Sequence, residues 1–151
     1  MRVAAIDLGT NTTRLLVAEV SDGEVAEVVK RTRITRLGEC VDARRRLLPL
    51  PITRVRNCLT EYRRELEALG AERALLVATS AVRDAENGEA FLGEIEWSYG
   101  FTTRLLSGDE EAELTLRGIG ETDGSTLIVD IGGGSTELIG AAERISLDIG
   151  S

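Results

Sequence analysis

Two short stretches of the chain place an aspartate, glycine and hydroxyl side chains in the same order. The first reads AIDLGTNTTRLL over residues 5–16, and the second reads VDIGGGSTELI over residues 129–139. In both, an apolar run ends in Asp and Gly, and a hydroxyl pair leads into another apolar run. Glycine permits positive φ angles and close approach of a ligand, while successive backbone N–H groups and Ser or Thr hydroxyls donate to anions. The two stretches therefore predict a pair of phosphate-binding turns.

The predicted phosphate ligands are the residues of these turns and the side chains beside them. They are Gly9, Thr10, Asn11, Thr12 and Arg14 in the first stretch, with Gly132, Gly133, Gly134, Ser135 and Thr136 in the second. One such turn would be weak evidence, because hairpins also use Gly and Thr for steric reasons. The repetition favours a ligand site, and the absence of a Gly-Lys-Thr sequence distinguishes it from a P-loop.

Carboxylates accompany both turns and predict a metal site. Mg²⁺ prefers carboxylates, water molecules and substrate phosphate oxygens as its ligands. The candidate ligands are Asp130 and Glu137 in the second stretch and Asp7 in the first. We therefore expect Mg²⁺ as the cofactor.

The stretch SGDEEAEL, residues 107–114, contains a candidate general base. Ser107 and Glu110 are spaced as a capping box that begins a helix. Acidic residues are favoured in any first helical turn, so helix formation alone explains such a pattern. Glu111, however, is not part of the box, and a carboxylate beside a phosphate cleft can accept a proton from an attacking water. Glu111 is the candidate catalytic residue.

The stretch ATSAVRDA, residues 78–85, offers a cation. Arg83 follows a predicted buried strand and a hydroxyl pair, at the turn into a helix. An arginine in this position can bind a phosphate through two hydrogen bonds. The alternative is an ion pair with Asp84 or Glu86 on the surface.

The spacing of apolar residues predicts three antiparallel strands followed by alternating helices and strands. The strands are expected over residues 3–9, 13–20 and 24–37, with a hairpin turn at Ser21-Asp22-Gly23. A loop is expected over 38–50, helices over 51–69, 80–100 (broken at Asn87-Gly88) and 107–119, and strands over 74–79 and 101–106. This order, β-β-β-α-β-α-β-α, predicts an α/β fold with a five-stranded mixed sheet covered by helices.

Two further strands, over residues 126–132 and 135–141, restart the pattern of the first two. We interpret this as the duplication of one domain. The first domain is expected over residues 1–123, and residues 124–151 are expected to form the first strands of a second copy.

Composition and charge narrow the function classes. The chain of 151 residues contains no histidine, which excludes Ser-His and Cys-His nucleophiles and imidazole metal sites, and Cys40 and Cys58 have no metal-ligand spacing. The net charge is −8, but residues 30–56 carry nine basic against two acidic side chains. This basic segment suggests a polyanionic ligand; the alternative is a solvated arginine-rich loop. No apolar run approaches the ~20 residues that span a bilayer, so we expect a cytoplasmic protein without a membrane partner.

The stretches AIDLGTNTTRLL, ATSAVRDAEN, LSGDEEAEL and LIVDIGGGSTELI occur in an order and spacing that resemble the Ppx/GppA family of exopolyphosphatases and guanosine pentaphosphate phosphohydrolases. The family belongs to the superfamily of actin, hexokinase and heat-shock chaperones. The resemblance implies two ribonuclease-H-like domains with phosphates and Mg²⁺ bound between them. It assigns the phosphate loops to Asp7–Thr12 and Asp130–Glu137, the carboxylate that activates water to Glu111, and the arginine of the ATSAxRDA motif to Arg83.

The expected function is hydrolysis of the terminal phosphate of inorganic polyphosphate by Mg²⁺-assisted attack of water. The first alternative is removal of the 5′-phosphate of pppGpp, which is also a polyphosphoryl chain. Further alternatives are an ATP-dependent kinase of the same superfamily and a polyphosphate-binding fragment without activity. We expect no nucleic-acid partner, and a homodimer in the full-length protein.

Overall fold

A computed structural model describes residues 1–120, 123, 125–140 and 143–151. Its larger sheet has five strands in the order β3-β2-β1-β4-β5. The strands are β1 (Arg2–Leu8), β2 (Thr12–Ser21), β3 (Glu24–Ile34), β4 (Arg73–Ala78) and β5 (Thr102–Leu105). Pairings β1–β2 and β2–β3 are antiparallel, whereas β1–β4 and β4–β5 are parallel. The predicted five-stranded mixed sheet is confirmed.

Five helices connect and cover these strands. They are α1 (Val41–Arg44), α2 (Pro49–Leu69), α3 (Ser80–Arg83), α4 (Gly88–Tyr99) and α5 (Gly108–Ile119). The break predicted at Asn87-Gly88 separates α3 from α4, and Gly70 and Gly100 end α2 and α4 in the left-handed conformation. The loop predicted over residues 38–50 is wrong in two respects, because α2 begins at Pro49 and not at residue 51 and because the predicted loop contains α1. That helix has four residues, too few to produce a recognisable period.

The core lies on one face of the larger sheet, under α2 and α4. It is built from aliphatic residues of β1, β2 and β4 packed against Leu59, Tyr62 and Ile95 of the two helices. The hydroxyl of Tyr62 donates to the carbonyl oxygen of Thr13 at 2.9 Å, so α2 is bonded to the start of β2. The core thereby fixes the end of the sheet that carries the first glycine turn.

A second, three-stranded antiparallel sheet packs against α5. Its strands are β6 (Ile128–Ile131), β7 (Thr136–Ile139) and β8 (Arg144–Leu147), in the order β6-β7-β8. The two predicted strands are therefore present, although residue 141 at the end of the second prediction lies outside the described residues. The predicted domain boundary falls at 123/124, and residue 124 also lies outside them. No helix in the described ranges has the length and apolarity to cross a membrane.

Candidate phosphate-binding site

The two glycine turns have the same hydrogen-bonding geometry. In the first, the N–H of Gly9 donates to the carbonyl of Thr12 at 3.0 Å; in the second, the N–H of Gly132 donates to the carbonyl of Ser135 at 2.8 Å. The strand registers also match, because Asp7 pairs with Arg14 across β1–β2 and Asp130 pairs with Glu137 across β6–β7. The repeated sequence thus forms two hairpins with the same turn hydrogen bond and the same strand register.

The glycines of the second turn allow close contact with the first turn. A Cβ atom on Gly133 would lie 2.6 Å from Nδ2 of Asn11, and one on Gly134 would lie 2.5 Å from Oγ of Ser80. Neither glycine has a φ angle in the left-handed region. Their role is therefore to admit neighbouring atoms, and positive φ is not what requires glycine at these two positions.

The first turn is held from behind by the segment that follows β3. The N–H groups of Thr35 and Arg36 both donate to the carbonyl of Asn11, and that of Gly38 donates to the carbonyl of Thr10. Arg54 of α2 supports this segment, since its Nε donates to the carbonyl of Thr35 at 2.6 Å. This anchoring was not predicted from the sequence, because it depends on residues far from the turn and on backbone atoms that every residue type carries.

Both turns also contain backbone N–H groups that can donate hydrogen bonds to a ligand. Among the described residues, the backbone N–H groups of Thr10, Asn11, Gly133 and Gly134 have no acceptor. The hydroxyls of Thr10 and Ser80 lie 2.8 Å apart, which joins the first turn to the start of α3. Unpaired N–H groups on two opposed turns form a concave donor surface, and such surfaces bind anions.

A cleft of about 240 Å³ lies between the two turns. It brings together most of the predicted site residues, namely Asp7, Gly9, Thr10, Asn11, Thr12, Arg14, Glu111, Asp130, Gly132, Gly133, Ser135 and Glu137. Thr79, Ser80, Ile131 and Ser151 also line it and were not predicted. Thr79 and Ser80 follow β4 within the ATSAVRDA stretch, so their position in the sequence was a usable signal.

Three predicted phosphate ligands do not line this cleft. Gly134 lines a neighbouring cleft of about 230 Å³, which also includes Thr10 and Asn11. The hydroxyl of Thr136 donates to the carbonyl of Ile149 at 2.6 Å, within the second sheet and its tail. Arg83 contacts Glu111, its Nη1 lying 2.8 Å from Oε2 of the carboxylate.

The two adjacent glutamates of α5 have separate functions. Ser107 and Glu110 form the predicted capping box, and Glu110 also pairs with Arg104 at the surface. Glu111, one position further along the helix, is directed into the cleft and is 15% exposed. Adjacent residues of a helix point in different directions, so Glu110 caps the helix whereas Glu111 lies in the cleft.

Four carboxylates concentrate negative charge in the cleft. Burial raises the pKa of Asp7; Arg14, 3.8 Å away, opposes this rise and Asp130 adds to it. Burial also raises the pKa of Glu111; Arg83 opposes this rise, whereas Glu137 and Asp7 add to it. The mutual effects mean that these carboxylates are close enough to repel one another, and a bound cation would relieve that repulsion.

The carboxylate donors fit Mg²⁺ without enclosing it. No three His, Cys, Asp or Glu residues within the described ranges converge into a ready-made metal cage. Mg²⁺ commonly binds through one or two carboxylates and completes its shell with water and phosphate oxygens, so a cage is not required. Thr115 donates to Asp130 and Ser146 donates to Glu137, each at 3.0 Å, and these bonds orient two of the candidate ligands.

The chain is similar to known proteins both in sequence and in fold. The chain is 42% identical to Exopolyphosphatase 2 of Mycobacterium tuberculosis, over 99% of the chain and 52% of that protein. It is 37% identical to a guanosine-5′-triphosphate,3′-diphosphate pyrophosphatase of Vibrio vulnificus, over 90% of the chain and 28% of that protein. The crystal structure of an exopolyphosphatase from Cytophaga hutchinsonii superposes with a TM-score of 0.92 at 28% identity, over 99% of the chain and 51% of that protein.

The chain therefore spans about half the length of the exopolyphosphatases it matches. The model of the Ppx/GppA phosphatase family matches residues 16–151, which include the second turn, the ATSAVRDA stretch and Glu111. The chain belongs to the Ppx/GppA phosphatase family.

Proposed function

We propose that the chain supplies one part of the active site of a hydrolase that removes the terminal phosphate of inorganic polyphosphate. The observation that carries this proposal is that Glu111 and two opposed glycine turns line one cleft. A phosphate-binding surface and a half-buried carboxylate are the two parts that attack of water on a phosphoanhydride requires.

The two turns bind the terminal phosphate. Backbone N–H groups of Thr10, Asn11 and Gly133, which line the cleft, donate to its oxygens, and the hydroxyls of the turns add further donors. Arg14, which lines the cleft, contributes a positive charge. Donors fixed before the substrate arrives stabilise the charge that develops on the phosphoryl oxygens, and they need little reorganisation during the reaction.

One or two of the carboxylates of Asp130, Glu137 and Asp7 would hold Mg²⁺ in this proposal, with water and phosphate oxygens completing its shell. When bound, the ion neutralises charge on the phosphate oxygens, as in other phosphoryl transfers. The carboxylates also keep the cleft negative when no cation is bound, which disfavours a phosphate entering alone.

Glu111 acts as the general base. Its carboxylate accepts a proton from a water whose oxygen forms a bond to the terminal phosphorus. The bond from that phosphorus to the bridging oxygen breaks, and the shortened polyphosphate leaves with the electron pair. A positioned general base typically contributes about 10²–10⁴-fold to the rate.

The test compares two adjacent substitutions in the full-length protein. Glu111→Gln should lower the turnover number at least about 100-fold and leave polyphosphate binding intact, because only the proton acceptor is lost. Glu110→Gln is the matched control: glutamine still completes a capping box, so turnover should stay within about twofold. A loss below about tenfold for Glu111→Gln would contradict the proposal.

Hydrolysis of pppGpp is the second candidate, and relatives of the chain carry both names. The composition of the basic segment, residues 30–56, suggested that it binds a long polyanion, and its contacts weaken that argument. Four of its arginines, Arg31, Arg33, Arg54 and Arg56, form ion pairs with glutamates of the chain. Phosphate release from polyphosphate and from pppGpp, measured side by side, distinguishes the two substrates.

The domain arrangement is proposed on the same basis. We infer that residues 1–123 form one ribonuclease-H-like domain and that residues 124–151 begin a second copy. The matching hydrogen bonds and registers of the two hairpins support a duplication. The match to a phosphatase family favours hydrolysis over the kinase alternative.

A further inference from the structure

Arg83 connects three elements through one nitrogen atom. It ends α3, and its Nη1 donates to the carbonyl of Leu106, between β5 and α5, at 2.8 Å. The same Nη1 donates to Oε2 of Glu111 at 2.8 Å. The Leu106 carbonyl therefore fixes the guanidinium, and the guanidinium fixes the carboxylate.

The contact is largely shielded from solvent. The side chain of Arg83 is 25% exposed and that of Glu111 is 15% exposed. Charge-assisted hydrogen bonds are stronger than neutral ones, and shielding from water strengthens them further. For comparison, Glu110, the residue before Glu111 in α5, forms an ion pair with Arg104. The side chains of Arg104 and Glu110 are 60% and 38% exposed.

Arg83 is not among the residues that line the cleft, whereas Glu111 is. Oε2 of Glu111 accepts from Arg83, and within the described ranges Oε1 has no hydrogen-bond partner. One oxygen is thus anchored and the other is available to the cleft. Burial, Glu137 and Asp7 all act against a charged Glu111 and raise its pKa, and Arg83 is the cation that opposes them.

We propose that Arg83 is a positioning residue for Glu111 and not a ligand of the substrate phosphate. It holds Oε2 so that Oε1 is directed at the attacking water. This inference rests on the proposed function, because it assigns a role relative to the general base.

The test uses steady-state kinetics of the full-length protein with polyphosphate as substrate. Arg83→Gln should lower kcat by about 10–100-fold, because a poorly positioned general base loses part of its contribution to the rate. The KM should stay within about twofold of the wild-type value. Arg83→Lys should recover at least about threefold of that loss, because an ammonium can still pair with the carboxylate but lacks the planar fork of the guanidinium. Arg104→Gln is the matched control, since it breaks an exposed ion pair between β5 and Glu110 of α5 and should leave kcat unchanged.

A double-mutant cycle separates positioning from an independent role. If Arg83 acts through Glu111, then Arg83→Gln should lower kcat by less than about threefold in a protein that already carries Glu111→Gln. The reason is that the effects of substitutions at two contacting residues are not additive. A rise in KM at unchanged kcat would overturn the inference in favour of phosphate binding, and so would full additivity. Melting temperatures verify that each variant is folded, and Arg83→Lys provides the measurement if Arg83→Gln unfolds. If Glu111→Gln alone has little effect, the proposed function fails, whereas a failed cycle with a sensitive Glu111 rejects only the inference about Arg83.

Discussion

Asp7 and Asp130 occupy equivalent positions in two hairpins of the same design, but their cross-strand partners carry opposite charges. Asp7 pairs with Arg14, whereas Asp130 pairs with Glu137. The first hairpin therefore presents a carboxylate with a cation, and the second presents two carboxylates. This difference makes the cleft electrostatically asymmetric: an anion is favoured beside the first hairpin and a cation beside the second.

The asymmetry predicts a metal-dependent rise in stability. Mg²⁺ should raise the melting temperature of the 151-residue chain, because an ion that binds only the folded state stabilises it by mass action and relieves carboxylate repulsion. Asp130→Asn should reduce that rise by more than half. Differential scanning fluorimetry across a Mg²⁺ titration measures both effects.

Asp109→Asn is the control for this prediction. It removes one exposed carboxylate from the first turn of α5, outside the cleft lining. An equal Mg²⁺ response in the two variants would show that the ion acts through general charge screening.

The acid limb of the pH profile should reflect Glu111. Burial raises the pKa of this carboxyl above its ordinary value of 4.5. A base must be ionised to accept a proton, so turnover is retained above the raised pKa and is lost as pH falls through it. The pH dependence of kcat/KM reports groups of the free enzyme, so kcat/KM of the full-length protein should decline at a pH above 4.5; a constant kcat/KM down to that value would contradict the assignment.

Replacement of Gly133 should disturb the contact between the two turns. Gly133→Ala would place a Cβ atom 2.6 Å from Nδ2 of Asn11 and 3.0 Å from Cβ of Thr10, so the Asn11 side chain must rotate and the turn at Thr10 must shift by a few tenths of an ångström. We expect at least about tenfold weaker polyphosphate binding, since displaced donors lose their alignment. Isothermal titration calorimetry at constant salt measures the change.

Gly93→Ala in α4 is the matched control. A Cβ atom at Gly93 meets no atom within 4 Å in the described structure. Alanine should stabilise this helix position by about 0.5–1 kcal/mol and leave binding unchanged. Similar binding losses in the two variants would exclude a specific role for Gly133.

The buried hydroxyl of Tyr62 should contribute to stability. Tyr62→Phe removes the hydrogen bond from the hydroxyl to the carbonyl of Thr13, so that carbonyl loses a donor inside the core. The expected cost is about 1–3 kcal/mol in the free energy of unfolding. Urea denaturation followed by circular dichroism measures it.

Tyr99→Phe provides the comparison for Tyr62. The hydroxyl of Tyr99 donates to the carbonyl of Arg56 at 3.0 Å, but at an exposed site where water can replace it. The cost there should be below about 0.5 kcal/mol. Equal costs in the two variants would mean that burial of the hydrogen bond is not what gives Tyr62 its effect.

Local features of this fold were predictable from the sequence, and contacts between distant elements were not. The hairpins, the capping box of Ser107 and the break at Asn87-Gly88 depend on neighbouring residues, so short patterns reveal them. The bond from Arg83 to Glu111 joins two helices across 28 positions and needs the carbonyl of Leu106 to orient it. A spacing pattern carries no information about such a contact.

Apolar alternation in β3 predicted a strand but not its surroundings. Val25 and Ile34 are 66% and 72% exposed, because β3 is the edge strand of the larger sheet. The strand position follows from the order of pairing, which a local pattern does not contain. The same limit explains why the strand was predicted to continue to residue 37, followed by a loop over 38–50, whereas β3 ends at Ile34 and the residues after it support the first turn.

That supporting segment has a consequence for how the protein tolerates mutation. Thr35, Arg36 and Gly38 anchor the first turn through backbone N–H groups, so a change of side chain does not remove these donors. Arg36 has a φ angle of 48°, however, so β-branched residues are disfavoured at that position. Proline would abolish the anchoring, since proline has no N–H to donate. Gly38 is constrained for another reason, because a Cβ atom there would overlap the methyl group of Thr10. Selection on this segment should therefore act on its backbone path as much as on the identity of its side chains.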